Sequence, residues 1–519
     1  MSVIKGKILS GEYLDSITLM VVTEELNKTK GVIESSVVMG SRENKAILQN
    51  SGLMLPEFKD TTDNDLLVCI KAETEKVVKD ILDNIQSIFK KFRNNDESAE
   101  DYSPKSFDGA IKLMPEANLS LISVAGKNAS REAMKALKSG LHVMIFSDNV
   151  SIEDELKLKQ YAASKGLLVM GPDCGTAIIN GAPLAFANVV NRGNIGIVAA
   201  SGTGLQEISC IISNKGAGIS QAIGTGGRDV KKEIGGIMFL QALQALNEDK
   251  ETEVIVLVSK PPHEDVLKKI AAEISKIKKP VVAIFIGASA EVIKASGAIP
   301  ASTLEETALI AAALSKGKKI EDIKPELEKA EVAIKTLASN LLKNKKKMQK
   351  YLRGLFSGGT LCDETQLIFK GHIGYVYSNT PLNKDFKLKD TWKSKENTVL
   401  DMGDDEFTVG RPHPMIDYSL RNKKIIEEAS DPEVTVILLD VVLGYGSNLH
   451  PADELVPAIK KAKEISPDVT ILCSITGTEN DPQNREDVKK QLENAGALVW
   501  NSNAAASKLV AYMIKYSTI

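Results

Sequence analysis

An apolar strand that runs directly into a glycine-containing helix start occurs twice in this 519-residue sequence. The first copy is Ile195–Ala199 followed by Ser201-Gly202-Thr203-Gly204, and the second is Leu355-Phe356 followed by Ser357-Gly358-Gly359-Thr360. Strands and helices alternate around each copy, which is the pattern of a doubly wound parallel sheet. Any two such domains share strands, but a shared Ser-Gly turn at the same point favours an internal duplication.

The two turns also predict a binding site for an anion. The first N–H groups of a helix have no intrahelical partners, and the helix dipole adds partial positive charge at that end. Two such ends in one chain predict one divalent oxyanion held between two half-sites. The candidate residues are Ser201, Gly202, Thr203 and Gly204 in the first turn and Ser357, Gly358, Gly359 and Thr360 in the second.

Composition narrows the possible partners. Apolar residues make up 43% and charged residues 26% of the chain, as in an ordinary soluble protein. The net charge of -3 and the aromatic content of 5% argue against nucleic acid as a partner. No apolar run is long enough for a membrane span, and we expect a cytoplasmic protein that binds no membrane. Five scattered cysteines and five scattered histidines show no ligand-type spacing, so no metal site is expected.

The order of predicted elements divides the chain into five parts. A polar, aperiodic stretch at 94–107 reads as a linker after the first part. The Rossmann-like part has no GxGxxG sequence, so nothing supports a dinucleotide. The predicted parts are a small ferredoxin-like α+β domain at 1–95, a Rossmann-like domain at 105–190, the first repeat at 191–318, a basic helical linker at 319–350 and the second repeat at 351–519.

Three further residues are candidates for catalysis. Lys260 follows a buried strand at its carboxyl end, the edge where open α/β sheets bind ligands. Arg411 and His413 lie in a charged loop stiffened by Pro412 and Pro414. Arg411 could fork onto a carboxylate or phosphate, and a histidine such as His413 could move protons near neutral pH. The alternatives are that Lys260 is an ordinary surface lysine and that the loop with Arg411 and His413 is a solvated connection.

The sequence then resembles a known family. Gly171-Pro172-Asp173-Cys174-Gly175, the Ser201-Gly202-Thr203 turn and Gly224-Thr225-Gly226-Gly227 resemble the alpha subunit of succinyl-CoA synthetase. Leu400-Asp401-Met402-Gly403 and Val434–Gly446 resemble the carboxy-terminal domain of its beta subunit.

The fused order of these parts resembles the FdrA family over essentially the whole chain. It has an extra amino-terminal domain and no ATP-grasp segment, and the stretches Leu167–Asn188 and Val409–Asp417 make the resemblance specific. The implied fold is α/β: a Rossmann-like CoA-binding-type domain and two flavodoxin-like domains of the succinyl-CoA synthetase type after the ferredoxin-like domain. In the synthetase, a phosphohistidine rests between two helix amino-termini, which correspond here to the two Ser-Gly turns.

Three departures from the synthetase pattern bear on activity. Ala295 stands where the phosphorylated histidine is expected, in Lys294–Ile299. Lys260 stands near the position of the glutamate that steadies that histidine. The glycine loop that cradles the CoA phosphates has no match. No cofactor is therefore assigned, and CoA or an acyl phosphate is a candidate substrate.

Three functions remain open. The resemblance implies an acyl- or carbamoyl-transfer component that uses an acyl phosphate, such as carbamoyl phosphate with oxamate in purine degradation, without a phosphohistidine. An acyl-CoA synthetase of the succinate–CoA ligase type with a rebuilt CoA site is the alternative. A non-catalytic scaffold that binds an anionic metabolite is the third. We expect a small anionic metabolite and other protein subunits of a hetero-complex as partners, with the chain incomplete alone.

Overall fold

The computed structural model describes residues 2–12, 14, 16–41, 44–45, 48–49, 51–62, 64–93, 104, 106–343, 345–346, 348–408 and 411–517. The chain divides into two compact units. The first comprises Met1–Leu119, Ser123–Ala125 and Asp405–Asp417, and the second comprises Ser120–Ile122, Gly126–Asp404 and Tyr418–Ile519. Most of the linker predicted at 94–107 lies outside the described residues, as do 344 and 347 of the basic linker and 409–410 of the family motif.

The helices and strands are numbered separately in chain order. The strands are β1 Val3–Ser10, β2 Val32–Met39, β3 Asp65–Ala72, β4 Leu119–Ile122, β5 His142–Ile145, β6 Val169–Met170, β7 Thr176–Ile179, β8 Ala182–Ala185, β9 Arg192–Ala200, β10 Ile219–Gly224, β11 Val254–Ser259, β12 Val281–Phe285, β13 Ile299–Pro300, β14 Tyr351–Phe356, β15 Thr398–Asp401, β16 Val434–Val442, β17 Thr470–Thr476 and β18 Leu498–Trp500. The helices are α1 Ser16–Lys28, α2 Glu75–Arg93, α3 Phe107–Leu113, α4 Gly126–Lys138, α5 Ile152–Ser164, α6 Gly202–Asn214, α7 Ile237–Glu248, α8 Glu264–Ile274, α9 Ala290–Ala295, α10 Leu304–Leu314, α11 Lys324–Leu342, α12 Gly359–His372, α13 Asp405–Thr408, α14 Ser419–Ala429, α15 Pro451–Ile465, α16 Arg485–Asn494 and α17 Asn503–Ser517. Single 3₁₀ turns cover Pro56–Phe58, Ile320–Asp322 and Lys384–Phe386.

The first unit contains the small α+β domain. Its antiparallel sheet has the order β1-β3-β2. Side chains alternate between the two faces of β3, so Leu66, Val68 and Ile70 pack in the same core as residues of α1 and α2. Leu67 and Cys69 face a smaller core on the other side. The predicted small α+β domain is confirmed, and within the described residues its sheet has three of the four strands of a ferredoxin-like sheet.

The two repeats share one strand order. The sheet of the second repeat has the strand order β15-β14-β16-β17-β18. Read from its other edge, the sheet of the first repeat has the corresponding order β10-β9-β11-β12-β13. Both are therefore the flavodoxin-like order 2-1-3-4-5, with parallel pairing throughout these strands. The predicted duplication is confirmed at the level of topology.

The Rossmann-like part contributes a three-stranded sheet, β4-β5-β6. The strands β7 and β8, which fall within the predicted 105–190 domain, instead join the edge of the first repeat's sheet through β10. The sheet of the first repeat therefore begins before the predicted boundary at residue 191. Across the described residues, no helix combines the length and apolar character needed to cross a bilayer.

The strand order decides where ligands can bind. Strand 1 of each repeat has strand 2 on one side and strand 3 on the other, and a crevice forms at the switch between strands 1 and 3. In the first repeat the residues at this switch are Ser201 and Lys260, which follow β9 and β11. In the second they are Ser357, after β14, and Asp440 on β16.

Candidate functional site

The two Ser-Gly turns meet directly in the second unit. Ser201 Oγ and Thr360 Oγ1 are 2.6 Å apart and form a hydrogen bond between the first turn and the first residues of α12. Ser201 Oγ also caps its own helix by accepting from the Gly204 N–H at 3.1 Å. The structure therefore brings the two predicted half-sites together, and we call this contact the turn junction.

Glycine is required where the turns approach each other. A Cβ on Gly204 would lie 2.6 Å from Ser201 Oγ and 3.2 Å from Thr360 Cγ2. A Cβ on Gly358 would lie 3.0 Å from Thr203 Cγ2, whereas one on Gly202 would meet only Thr176 Oγ1 at 3.6 Å. The glycines of the motif thus serve close packing at two of these positions, and Gly202 has ordinary room.

A carboxylate of the protein binds part of the second turn. Asp440 accepts hydrogen bonds from the Ser357 N–H at 2.8 Å and from the Gly358 N–H at 2.7 Å. Its Oδ1 also pairs with Arg421 at 2.8 Å, and both side chains are fully buried. Two of the donors expected for an external anion therefore already have a partner. Helix geometry leaves the N–H groups of Gly202, Thr203, Gly359 and Thr360 without intrahelical acceptors.

Lys260 lies beside the second helix start. Its Nζ is 2.7 Å from Asp363 Oδ2, in the second turn of α12, and about half of the Lys260 side chain is exposed (49%). Partial burial disfavours the charged amine, but the carboxylates of Asp363 and Asp401 outweigh it, so the pKa of Lys260 is raised and the ammonium persists. A cation is thus held at the edge of the turn junction.

Asp401 adds a second carboxyl group next to this lysine. It ends β15, and a Cβ on Gly359 would lie 2.6 Å from its Oδ2. Burial is the main cause that raises the pKa of Asp401 to about 7. The negative charge on Asp363 also raises this pKa, whereas the positive charge on Lys260 lowers it. Burial also raises the pKa of Asp363. Asp401 can therefore exchange a proton near neutral pH.

Two buried glutamates tie the repeats together around this site. Glu207 of α6 accepts from the Asn503 N–H at 2.9 Å, at the start of the last helix of the second repeat. Glu364 of α12 accepts from the Leu304 N–H at 2.7 Å, at the start of the last helix of the first repeat. Each is the sixth residue of its helix, so each repeat caps a helix of the other. Burial raises the pKa of Glu207 to about 8 and that of Glu364 to about 7.

Arg411 and His413 belong to the other compact unit. They lie in the segment Asp405–Asp417, where Met415 and Ile416 are buried. His413 Nδ1 accepts from the Met415 N–H at 3.2 Å, and its carbonyl accepts from the Ile416 N–H at 2.8 Å. These bonds shape the local turn, and the catalytic role of both residues stays a prediction.

Sequence reasoning missed the roles of three acidic groups and one arginine. Asp363 lies in α12, Asp401 ends β15, Asp440 lies within β16, and Arg421 lies in α14. Asp401 ends a buried strand and Asp440 lies near the carboxyl end of another, which was a usable signal, because the carboxyl edge of the sheet lines ligand sites. Nothing in the sequence pairs Arg421 with Asp440.

Comparison with known proteins follows the same division of the chain. Residues 192–319 match the succinyl-CoA ligase like flavodoxin domain, 355–513 match the CoA-ligase family, and 1–104 match the AllF heavy metal-associated domain. The uncharacterized protein YahF of Escherichia coli is 43% identical over 504 residues, which cover 96% of each chain. The chain belongs to the FdrA family. The α/β fold assigned from the resemblance is therefore confirmed.

The synthetase relatives are more distant from this FdrA-family chain. The alpha subunit 2 of ADP-forming succinate–CoA ligase from Archaeoglobus fulgidus is 32% identical over 180 residues, 34% of this chain and 61% of that one. The match thus spans less than two thirds of that subunit. Together with the two ligase-domain matches, these relatives place the chain in an acid–thiol ligase-like family.

Two solved structures are similar to parts of this chain at low TM-scores. The dinucleotide-forming acetyl-coenzyme A synthetase 1 of Ca. Korarchaeum cryptofilum shares 16% identity, with 77% of this chain and 83% of that chain covered at a TM-score of 0.33. PH0766 from Pyrococcus horikoshii shares 15% identity, with 77% and 84% covered at 0.32. Likenesses of this size identify no substrate.

The residues of the 1–104 match do not fit a heavy-metal site. Cys69 is the one cysteine in this range and donates from Sγ to the Leu53 carbonyl at 3.0 Å. Burial raises the pKa of its thiol to about 12, so the thiolate that binds soft metals is disfavoured. The domain therefore matches that family model, and its one cysteine is poorly suited to bind a soft metal.

Proposed function

We propose that this chain is the acyl-phosphate-binding component of an acyl- or carbamoyl-transfer enzyme that works without a phosphohistidine. One observation carries the proposal: a paired lysine, Lys260, lies beside two helix amino-termini that meet at the turn junction. Lysine and helix N–H groups together bind phosphate oxygens well. Ala295 cannot accept a phosphoryl group, so the phosphate would remain a bound leaving group.

The proposed reaction is transfer of a carbamoyl group from carbamoyl phosphate to the nitrogen of an acceptor such as oxamate. The acceptor nitrogen forms a bond to the carbonyl carbon, and the bond from that carbon to the phosphate oxygen breaks. Lys260 and the N–H groups of Gly359 and Thr360 would stabilise the charge on the departing phosphate.

The same step requires a base for the proton of the acceptor nitrogen. Asp401 is proposed for this role, because its raised pKa of about 7 suits proton transfer at neutral pH and it lies beside the second helix start. Once Asp401 has accepted this proton, it also repels the departing phosphate less.

We further propose that the chain needs companion subunits for turnover. An acyl phosphate is already activated, so the lack of an ATP-grasp segment is compatible with the reaction. Binding and orientation of the acceptor are then the missing parts, and a partner protein would supply them.

Calorimetric titration with phosphate and carbamoyl phosphate tests the site. Lys260→Met should weaken binding of both ligands at least tenfold, because it removes the only cationic side chain among the residues proposed to hold the phosphate. Lys268→Met is the matched control, since Lys268 is an exposed lysine of α8 (77%). Equal binding by both variants and the parent chain would refute the site.

Turnover tests the requirement for partners. Carbamoyl phosphate consumption with oxamate should be absent with the pure chain and appear when the products of neighbouring genes are added. Full turnover by the chain alone would contradict the requirement for partners and leave the transfer reaction supported.

An acyl-CoA synthetase is the second candidate. The CoA-ligase match at 355–513 and the succinate–CoA ligase relatives favour it. Thermal stabilisation by CoA, with none by carbamoyl phosphate, would select it over the transferase.

A further inference from the structure

The lysine-rich end of the linker holds one lysine that the proposed reaction does not use. Lys345 lies between α11 and β14 in the chain. Its Nζ donates to the carbonyl of Thr435 at 3.0 Å, at the start of β16, and to the carbonyl of Asp468, just before β17. These strands run parallel to β14, so Lys345 lies at the amino edge of the second sheet. The turn junction lies at the opposite, carboxyl edge.

The contacts of Lys345 suit a neutral amine. A lysine ammonium has three hydrogens to donate, whereas the neutral amine has two hydrogens and a lone pair. Two backbone carbonyls accept from Lys345 Nζ, and it forms no third hydrogen bond with the described residues. Lys345 is also partly buried, and burial disfavours the charged form. Loss of a proton therefore costs Lys345 less than it costs an exposed lysine.

A second lysine beside Lys345 acts in the same direction. Lys463 Nζ donates to the carbonyls of the two residues that flank Asp468, at 3.2 and 2.7 Å, so two lysines bind one short turn. The Asp468 carboxylate opposes their repulsion, but it is already paired with Lys346 at 3.2 Å. Burial is the main cause that lowers the pKa of Lys345 to about 8. The positive charge on Lys463 lowers it further, and the charge on Asp468 raises it.

Lys279 provides an internal comparison for the effect of the second lysine. Its Nζ donates to the carbonyls of Leu246 and Asp249 at 2.8 and 2.6 Å, so it also has a pair of backbone acceptors. Burial lowers the pKa of Lys279, and the Asp249 carboxylate acts against this change. The charge beside Lys279 is therefore an anion, whereas the side chain beside Lys345 is a cation.

The neutral amine is the form of lysine that attacks an activated carbonyl carbon. An acyl phosphate offers such a carbon, with phosphate as the leaving group. The amine nitrogen forms a bond to the carbonyl carbon, the bond from that carbon to the phosphate oxygen breaks, and the nitrogen releases a proton to solvent. The product is a neutral amide whose one N–H can still donate to one of the two backbone carbonyls.

We propose that Lys345 is a site at which an acyl phosphate acylates this chain. The acyl donor belongs to the same chemical class as the donor in the proposed transfer reaction. The modification itself needs neither the turn junction nor a companion subunit. It removes the charge next to Lys463 and releases one of the two carbonyls, so it weakens the attachment of the linker end to the second repeat.

Incubation of the full chain with acetyl phosphate tests the proposal, with peptide mass spectrometry after a protease that does not cleave at lysine. At pH 8 about half of a group with a pKa of about 8 is the free amine. Lys345 should be acetylated at least tenfold faster than Lys346, the adjacent lysine with an exposed side chain (68%), and also faster than Lys279. Equal rates at Lys345 and Lys346 would overturn the proposal.

A variant of the neighbouring lysine tests the cause. Lys463→Met should slow acetylation of Lys345 by about threefold or more at pH 7.5, because the adjacent positive charge is gone. Lys461→Met is the matched control, since Lys461 is an exposed lysine of the same helix (57%), and it should leave the rate unchanged. The unfolding midpoint of each variant shows that it is folded. An unchanged rate in folded Lys463→Met would contradict the explanation.

A further variant keeps this proposal apart from the proposed function. Lys260→Met should leave the acetylation rate of Lys345 at the parent value, because Lys260 follows the carboxyl end of its strand and Lys345 lies at an amino edge. Failure of the modification at Lys345 therefore leaves the turn junction standing, and loss of phosphate binding at the turn junction leaves Lys345 standing.

Discussion

Replacement of Glu207 by glutamine tests the cross-capping between the repeats. The folded state raises the pKa of Glu207 from an ordinary 4.5 to about 8, mainly because the side chain is buried. Between these two pH values the folded chain keeps the proton and the unfolded chain has lost it. The contribution of Glu207 to the stability of the folded chain is therefore greatest below pH 4.5, and it falls as the pH rises toward 8.

The size of the effect follows from proton linkage. The pKa difference predicts a loss of roughly 2 kcal/mol of stability between pH 5 and pH 7 from this one side chain. Glutamine resembles the protonated acid and has no proton to lose. Its oxygen can accept from the Asn503 N–H, and its amide can donate to Thr476 Oγ1, so the cap persists.

The assay is the unfolding midpoint of Glu207→Gln and the parent chain, measured by calorimetry from pH 5 to pH 8. The variant should match the parent near pH 5 and exceed it by a few degrees near pH 7.5. Glu248→Gln, at an exposed position at the end of α7, should shift the midpoint equally at all pH values. Parallel curves for Glu207→Gln and the parent would refute the reasoning, because Glu207 would then carry no proton in the folded state.

Two further outcomes follow from the turn junction and its surroundings. Gly204→Ala should lower the free energy of unfolding by about 1–3 kcal/mol, because its Cβ would lie 2.6 Å from the Ser201 Oγ that caps α6. Gly202→Ala has ordinary room and should be tolerated. Equal losses of stability in the two variants, measured by chemical unfolding, would contradict this explanation. Incubation with ATP or GTP should leave no acid-labile phosphate on the protein, because alanine occupies position 295, and labelled phosphate on any of the five histidines would show the opposite.

Much of the fold was accessible from local patterns. The strand Val254–Ser259 is a continuous run of apolar and β-branched residues up to its last position, as expected of a parallel strand buried on both faces. The duplicated Ser-Gly turns also located both helix starts. The joining of β7 and β8 to the first repeat was not accessible, because short two-stranded ribbons carry no signal for the sheet that they enter.

The candidate site divides in the same way. Lys260 could be proposed because it follows a strand at the ligand-binding edge, a property of its neighbours in sequence. Asp363 and Asp401 could not be joined to it, because they lie in the other repeat and reach Lys260 only when the repeats pack together.

The sequence by itself determined the two helix starts, the alternation of strands and helices along the chain and the absence of a histidine at position 295, since each depends on residues adjacent in the chain. Only the tertiary structure decided that the two turns are in contact and that Asp440 binds part of the second. It also decided which buried acids have raised pKa values. The physical reason is that desolvation and hydrogen bonding between side chains distant in sequence depend on packing in three dimensions, and no local pattern records them.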